Sequence, residues 1–414
     1  MKKKEEIMED ENIDTTKEVV TIKKEGFSYP EMVIIMIIAI LFGFLIGNVV
    51  SFTKKETTNS SVPSELKEFV DTYNDIVNNY YDKVNKEELI DAGIKGMINY
   101  LDDPYATYFD GTSSTNFNQT LEGNYEGVGI EVTLDNNKVK ITKVFADTPA
   151  KKAGIKVGDY ITKVNGESVE GKSLSDVVSL IKNAKNKEVE ITITRDDQEK
   201  TMKVTRTTVD MPYTSSKVYE ENGKKIGYLK IEMFSNNITK QVKKELESLK
   251  KKNIDKLVID VRDNPGGYLT QVTEILSLFM TKKDVIYQLQ TKNNKEKVYS
   301  TSSKATYSYP VVVLINENSA SASEILASAF KETYNAEIVG VNSYGKGTVQ
   351  KTGDLNNGDT IKYTVQKWLT PKGNWINEKG VTPTKEVKLE LKENETLTED
   401  NDNQLKAAIE LASK

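Results

Sequence analysis

The sequence contains neither histidine nor cysteine. Without histidine the chain has no Ser-His-Asp triad, no HExxH zinc site and no imidazole proton shuttle. Without cysteine it has no thiol nucleophile, no disulfide and no cysteine-ligated zinc or iron–sulfur site. A hydrolytic nucleophile would therefore be Ser, Thr, Lys, Tyr, a carboxylate or water, with lysine, a carboxylate or an amine as its base. A metal site would need oxygen ligands, and we expect neither a metal nor a cofactor.

Positive charge is not in excess either. The 414 residues include 57 Lys+Arg and 62 Asp+Glu, which gives a net charge of −5. Nucleic-acid-binding proteins usually show a basic excess, so we expect no nucleic-acid partner. The hydrophobic share of 37% and the charged share of 29% suit a globular protein, and the length favours about two or three domains.

Uncharged runs are rare, and the one long example is Met32–Val50. Its 19 residues, at about 1.5 Å per residue, nearly span a hydrocarbon core of about 30 Å. We therefore predict a disordered cytoplasmic tail over 1–30, an uncleaved transmembrane anchor over 31–50 and a polar linker over 51–62. A single N-terminal anchor followed by a long folded segment places the bulk of the chain outside the cytoplasm. A cleaved signal peptide or a buried core helix is the alternative.

Apolar spacing then predicts a helical module over 63–110. Leu66 to Tyr80 and Glu87 to Leu101 each show the spacing of an amphipathic helix. From about residue 123 the period changes to that of short strands bounded by glycine and asparagine turns. The predicted strands of this part are 127–132, 138–144, 160–164, 188–195 and 200–206, and the predicted helix is 173–183.

The stretch 118–206 resembles a PDZ domain. The matching motifs are Gly127-Val-Gly-Ile130, the turn Thr148-Pro-Ala followed by KAGIKVGD, and the turn Asn165-Gly166. The resemblance implies a groove between a strand and a helix, where an extended chain end adds to the sheet. Loop N–H groups would hold the carboxylate of that chain end; the loop positions are Gly127, Val128, Gly129 and Ile130. The alternative is that these glycines only form a turn.

Strands and helices alternate over 207–395. Short apolar runs such as 256–261 and 311–315 are typical of buried strands, and helical patterns follow them. The segment 396–414 is predicted to be an acidic linker and a short helix. The fold class is thus α+β and multi-domain: a transmembrane helix, a helical module, a β-rich PDZ domain with helices, and an α/β core whose mixed sheet is flanked by helices.

Three motifs in this last part indicate chemistry. Asn318-SASAS-Glu324 lies between a predicted strand and a helix, where free N–H groups and the helix dipole stabilise an alkoxide or oxyanion. Gly345-Lys346-Gly347 presents a lysine with little steric cover, and burial would make it a neutral base. Asp260-VRDNPG-Gly267 follows a buried strand, and its glycine N–H groups can form an anion-binding nest. Taken singly, each motif has a structural alternative: an N-cap for the serine motif, a solvated turn for the lysine motif and a strand-to-helix turn for the motif that ends at Gly267.

Together the motifs resemble the C-terminal processing peptidases, the tail-specific serine proteases of peptidase family S41, over about 60–395. The resemblance implies a Ser-Lys dyad with Ser321 as nucleophile, Lys346 as general base and Gln350 as the residue that orients the lysine. It implies an oxyanion hole formed by the N–H groups of Gly267 and Ala322. Ser319 and Ser323 match motif positions without a catalytic role.

The same resemblance implies acyl transfer to protein or peptide substrates whose free C-terminal tails bind the PDZ domain. It also implies that a homodimer can form. The resemblance leaves open whether the PDZ domain activates or inhibits: a bound tail either delivers the chain for cleavage or releases an inhibition of the site. One alternative is a non-catalytic, membrane-tethered PDZ scaffold. Another is a penicillin-recognising enzyme, suggested by Lys351-Thr-Gly353, but the SDN element of those enzymes is missing.

Overall fold

The computed structural model describes residues 63–182, 184–392 and 395–414. The predicted tail, anchor and linker over 1–62 lie outside the described residues. Among the residues that are described, no helix combines the length and the apolar character needed to cross a membrane. The chain divides into two compact units, 1–89 and 90–414, and each is described by itself.

Helices occupy the segments where the sequence shows helical spacing. In the first unit a short 3-10 turn, Ser64–Leu66, leads into α1 (Lys67–Asn79), and α2 (Lys86–Tyr100) begins before the division. Tyr80 ends α1 by adopting an extended conformation. Both helices agree with the predicted bounds to within about one residue.

A strand and a helix that the sequence pattern did not reveal follow α2. They are β1 (Thr107–Phe109) and α3 (Gly111–Glu122). The Asp110 side chain caps α3 by accepting the Ser113 N–H at 3.2 Å, and Gly123 ends the helix with a φ of 71°. The predicted helical module, 63–110, therefore ends in a strand, which pairs with a sheet from the distant C-terminal part of the chain.

The PDZ-like part is a small sheet with one long helix. Its elements are β2 (Asn124–Gly127), β3 (Ile130–Asp135), β4 (Lys138–Val144), α4 (Pro149–Lys152), β5 (Tyr160–Val164), β6 (Glu167–Ser168), α5 (Leu174–Lys182), β7 (Glu188–Arg195), β8 (Gln198–Thr205) and β9 (Thr207–Asp210). The sheet order is β3-β4-β5-β7-β8, with β6 on β5, while β2 pairs with β9 where the chain enters and leaves. In β7 the alternate residues Val189, Ile191 and Ile193 are buried against α5 and β4 residues, as period-two spacing requires.

The remaining part combines two sheets. Its elements are β10 (Thr214–Glu221), β11 (Lys224–Ile231), α6 (Ile238–Lys251), β12 (Lys256–Asp260), α7 (Leu269–Leu276), β13 (Val285–Gln290), β14 (Lys295–Tyr299), β15 (Val311–Ile315), α8 (Ala322–Glu332), β16 (Glu337–Gly340), β17 (Thr348–Asp354), β18 (Thr360–Leu369), β19 (Lys385–Glu386) and α9 (Asn403–Ser413). One sheet has the order β10-β11-β12-β15-β16-β19; β10 and β11 are antiparallel and the other neighbours are parallel. The other is antiparallel, with the order β1-β18-β13-β14 and β17 on β18. The expected mixed sheet is confirmed.

Helices cover both faces of the mixed sheet, which is why β15 is apolar throughout. All five residues of Val311–Ile315 are buried. On one face α6, α7 and α8 pack against the sheet, and on the other face α9 packs against residues such as Val258 and Leu314. Because β12 and β15 are parallel neighbours, the loops after them meet at one edge of the sheet.

Candidate active site

The turn after β15 presents Ser321 at the head of α8. Ser321 has a φ of 55° and a ψ of −112°, a conformation that a non-glycine residue rarely adopts and that neighbouring structure must hold in place. The flanking serines supply part of that support. Ser319 donates its hydroxyl to the Val261 carbonyl at 2.8 Å, and Ser323 donates to the Asn264 carbonyl at 2.9 Å. Both are fully buried, whereas Ser321 is only partly buried.

The loop after β12 lies directly against this serine. Asn264 shapes the loop: its side chain donates to the Ile231 carbonyl at 2.9 Å and accepts the Gly266 N–H at 2.9 Å. Gly266 has a φ of 105°, and a Cβ on it would lie 2.8 Å from the Cβ of Ser321. Only glycine permits so close an approach.

Two N–H groups near the serine remain available. Within the described part of the chain, neither the Gly267 N–H nor the Ala322 N–H donates a hydrogen bond to another residue. Gly267 has a φ of 138° and follows Gly266, while Ala322 is the first residue of α8. The two predicted oxyanion donors therefore lie in the loop and the turn that enclose Ser321.

The backbone of Lys346 is fixed by two tryptophans. The Lys346 carbonyl accepts the indole N–H of Trp368 at 2.7 Å, and the Gly347 carbonyl accepts that of Trp375 at 2.9 Å. Gly345 has a φ of 89° and packs against the backbone of 378–380. The glycines of this motif thus allow a close-packed loop.

The side chain of Lys346 is partly buried, and its ammonium lies over the Tyr105 ring, 4.6 Å from the centroid. Burial lowers the pKa of Lys346 to about 8 from an ordinary 10.5, and the positive charge of Lys362 acts in the same direction. The carboxylates of Asp103 and Glu324 oppose this shift. A lysine in this state can lose its proton near neutral pH.

Glu324 connects the serine turn to the lysine loop. Its Oε2 accepts the Ser321 N–H at 2.8 Å and the Lys346 N–H at 2.9 Å, and its Oε1 accepts the Gly345 N–H at 2.7 Å. The Ser343 hydroxyl also donates to Oε1. Glu324 is fully buried, and burial raises its pKa. Glu324 was not among the predicted site residues, although a glutamate three positions after a helix-capping serine is the signature of a capping box.

The structure brings Ser321, Lys346, Gly267 and Ala322 to one edge of the mixed sheet. In the part of the chain that the structure describes, no hydrogen bond joins the Ser321 hydroxyl to the Lys346 ammonium. Gln350 lies on β17 and donates its amide to the hydroxyls of Thr348 at 2.9 Å and Thr364 at 3.1 Å. Its carbonyl oxygen is available as an acceptor, and its role in orienting the lysine stays a prediction.

The PDZ loop is built as a tight entrance to β3. Gly127 ends β2, and the Val128 carbonyl accepts the Ala150 N–H at 2.9 Å. Gly129 has a φ of 86°, and a Cβ on it would lie 2.4 Å from the Thr148 side chain. Ile130 begins β3 and lines a cavity of about 320 Å³. The other lining residues come from the PDZ-like part and from the α/β part: Tyr125, Glu131, Lys143, Phe145, Val178, Lys182, Met211, Pro212, Tyr213 and Glu232.

Family models match three parts of the chain. The model described as peptidase family S41 matches 225–387, the PDZ domain model matches 140–195, and the model of the activating protease CtpB N-terminal domain matches 47–113. The order of these matches is that of the helical, PDZ-like and α/β parts.

Whole-chain relatives give the same result. The chain is 40% identical over 76% of its length to the carboxy-terminal processing protease CtpB of Bacillus subtilis, of which it covers 66%. It is 36% identical over 84% of its length to CtpA of the same organism, of which it covers 73%. It is 32% identical over 92% of its length to a probable CtpA-like serine protease of Staphylococcus saprophyticus, of which it covers 77%.

Proposed function

The chain belongs to the carboxy-terminal processing proteases of peptidase family S41, which are serine-type endopeptidases, and from that premise we propose that it cleaves protein substrates with a Ser321–Lys346 dyad. One observation supports the dyad most strongly: a single oxygen of Glu324 accepts the backbone N–H groups of both Ser321 and Lys346. Because the sequence contains no histidine, a lysine is the best remaining base for such a serine.

The proposed mechanism uses the lowered pKa of Lys346 and the position of Ser321 at the head of α8. Neutral Lys346 takes the proton of the Ser321 hydroxyl while Oγ attacks the substrate carbonyl. The oxyanion that forms is stabilised by the N–H groups of Gly267 and Ala322, to which the dipole of α8 adds. The protonated lysine then donates its proton to the leaving amine. Water, deprotonated by the same lysine, hydrolyses the acyl ester and regenerates the serine.

The ammonium must approach the serine for this chemistry. In the structure it lies on the Tyr105 ring, while its backbone is already fixed beside the serine turn. A change of side-chain rotamer, without movement of the loop, is therefore the step we expect before proton transfer. Gln350, with a free carbonyl oxygen on the neighbouring strand, is the proposed residue that accepts a hydrogen bond from the ammonium and orients it.

The direct test is peptide cleavage by variants of the dyad. Ser321→Ala and Lys346→Ala should retain the fold, measured by circular dichroism, and lose cleavage of a denatured protein substrate. Ser303→Ala and Lys351→Met are matched controls, because Ser303 and Lys351 are both exposed. Full activity of either dyad variant would overturn the assignment.

We assign the recognition of free C-terminal tails to the PDZ domain. The cavity beside Ile130 is lined by Glu131 of β3, by Val178 of α5 and by Glu232 after β11. An occupant of this cavity would thus touch the PDZ domain and the protease part together. A tail peptide that stimulates the cleavage of an unrelated substrate would support activation by binding. A PDZ deletion that raises basal cleavage would instead indicate release of inhibition.

The cellular location is a separate proposal based on the sequence. The uncharged run Met32–Val50 would anchor the chain once in the cell membrane, with the catalytic part on the extracytoplasmic side. Fractionation of cells followed by protease treatment of intact spheroplasts tests both points, since only an extracytoplasmic catalytic part is digested. Sedimentation equilibrium of residues 51–414 tests the expected homodimer.

A further inference from the structure

An exposed carboxylate joins the two chain segments that carry the proposed oxyanion donors. Asp263 lies in the loop after β12, four residues before Gly267, and has a φ of 61°. Its Oδ1 accepts the side-chain amides of Asn316 and Asn318, both at 2.8 Å. These two asparagines lie in the turn between β15 and Ser321. The carboxylate of one segment thus holds two side chains of the other.

Asn316 also accepts hydrogen bonds from both segments. Its side-chain oxygen accepts the Asp263 N–H at 2.9 Å and the Asn318 N–H at 3.2 Å. Partial burial acts to raise the pKa of Asp263, but the hydrogen bonds from Asn318 and Asn316 outweigh this effect, and the pKa lies below its ordinary value. The carboxylate is therefore charged at neutral pH and accepts both amides. Together the three residues form a clamp between the loop and the turn, the Asp263 clamp.

The Asp263 clamp is a second point of attachment between these segments. Closer to Ser321, the Asn264 carbonyl accepts the Ala320 N–H at 3.0 Å and the Ser323 hydroxyl at 2.9 Å. Two hydrogen bonds that share one acceptor atom fix a distance more firmly than an angle, because a carbonyl oxygen accepts donors over a broad range of directions. Attachment at Asp263 as well fixes the angle between the loop and the turn.

We propose that Asp263 is a positioning residue of the oxyanion hole. The Asp263 clamp sets the angle between the loop that carries the Gly267 N–H and the turn that carries the Ala322 N–H. The two donors stabilise an oxyanion only when both point at the same oxygen, and a displacement near 1 Å costs about 10²-fold in rate. This inference rests on the proposed oxyanion hole, and Asp263 acts through its two donors rather than on the substrate.

The exposure of Asp263 allows this role to be separated from a role in stability. Its replacement leaves no cavity in the core and should change the free energy of unfolding little. Glycine tolerates a positive φ, so Asp263→Gly removes the carboxylate without backbone strain. Asp263→Asn keeps an oxygen that can accept both amides. Asp197→Gly is the matched control, because Asp197 is an exposed aspartate with a φ of 59° in the turn between β7 and β8.

The experiment compares a substrate with a transition-state analogue. We measure kcat and KM for a peptide substrate, and the inhibition constant of a peptide boronate of the same sequence, whose tetrahedral adduct with Ser321 places an oxygen in the oxyanion hole. In Asp263→Gly we expect kcat to fall about 10- to 100-fold at an unchanged KM, and the inhibition constant to rise by a similar factor. Asp263→Asn and Asp197→Gly should match the wild type in all three constants.

Several results would overturn the proposal. They are an unchanged kcat in Asp263→Gly, an equal loss in Asp263→Asn or Asp197→Gly, and a loss of kcat without weaker binding of the boronate. Urea unfolding shows that each variant is folded; if Asp263→Gly is not, Asn318→Ala removes one amide of the clamp at an exposed position and should give the same split between kcat and KM. Failure of the dyad itself is seen separately, as retained cleavage by Lys346→Ala.

Discussion

Ser321 and Lys346 are held together by a single atom, because the N–H groups of both residues donate to Oε2 of Glu324, at 2.8 and 2.9 Å. The carboxylate is fully buried, and its other oxygen accepts the Gly345 N–H. Hydrogen bonds from backbone N–H groups to a buried carboxylate are short and strong, so they hold the donating residues in fixed positions. It sets the spacing of the Ser321 turn and the Lys346 loop before any substrate binds.

Replacement of this carboxylate should affect turnover more than binding. In Glu324→Gln an NH₂ group replaces one of the two carboxylate oxygens. This group cannot accept a hydrogen bond, so the backbone N–H groups that donate to that oxygen lose their acceptor. The turn and the loop then separate slightly, and we expect kcat to fall about 10²-fold, since displacements near 1 Å have such effects. KM should change little. Steady-state kinetics of Glu324→Gln and of the exposed control Glu317→Gln test this, and an unaltered kcat in Glu324→Gln would contradict it.

The pH dependence of cleavage should report the base. Burial lowers the pKa of Lys346 to about 8, and the protonated amine cannot accept the serine proton. The value of kcat/KM should therefore rise with pH through a midpoint near 8 and level off above it. A pH profile on a substrate without titratable groups measures this midpoint. A midpoint close to 10.5, the ordinary value for lysine, would show that the amine is not buried in the working enzyme.

The lowered pKa of Lys346 also predicts that replacing the lysine, which removes activity, stabilises the fold. At pH 7 the folded chain keeps a charged Lys346 in a partly buried place, so Lys346→Met should unfold at a higher temperature than the wild type. Between about 8 and 10.5 the unfolded chain binds the proton that the folded chain has lost, so the wild type gains stability with rising pH. The advantage of Lys346→Met should therefore shrink across this window. Thermal unfolding of both proteins at several pH values measures the difference; an advantage that grows with pH would be inconsistent with a lowered pKa.

A buried ion pair connects α9 to the strand that precedes the Gly266–Gly267 loop. Arg262 donates to Asp402 at 3.0 and 2.8 Å and to Asp260 at 2.7 Å, and Asp402 also accepts the Leu405 N–H that starts α9. Asp402→Asn removes one charge of a buried set and should lower the free energy of unfolding by about 3 kcal/mol. Urea unfolding tests this against Asp400→Asn, an exposed position on the same turn. Equal stability of the two variants would show that the ion pair adds nothing.

Much of the fold follows from local sequence patterns. Strands such as Val311–Ile315 are short apolar runs that can only be buried, and their predicted bounds are those of the structure. The local setting of Ser321 and Lys346 was predicted in the same way, because a strand–turn–helix and a lysine between glycines are local features. Their catalytic roles rest on the family resemblance and stay predictions. These elements depend on nearest neighbours in the chain, which the sequence displays directly.

The parts that were missed depend on distant contacts. The helix Gly111–Glu122 buries only Ser114, so its sequence lacks an apolar stripe. The strand Thr107–Phe109 has three residues and exists because it pairs with β18, some 250 residues away. The contact between Tyr105 and Lys346 follows from that pairing. No local pattern in the sequence encodes it.

The measurement that tests the dyad most directly is covalent trapping of the serine. The protein is treated with a fluorophosphonate, and intact-mass and peptide mass spectrometry locate the adduct at pH 9, where Lys346 is largely neutral. The account predicts one adduct, on Ser321, whose rate of formation falls by orders of magnitude in Lys346→Ala and is unaffected in Lys351→Met. Modification of another residue, or an equal rate in Lys346→Ala, would contradict it.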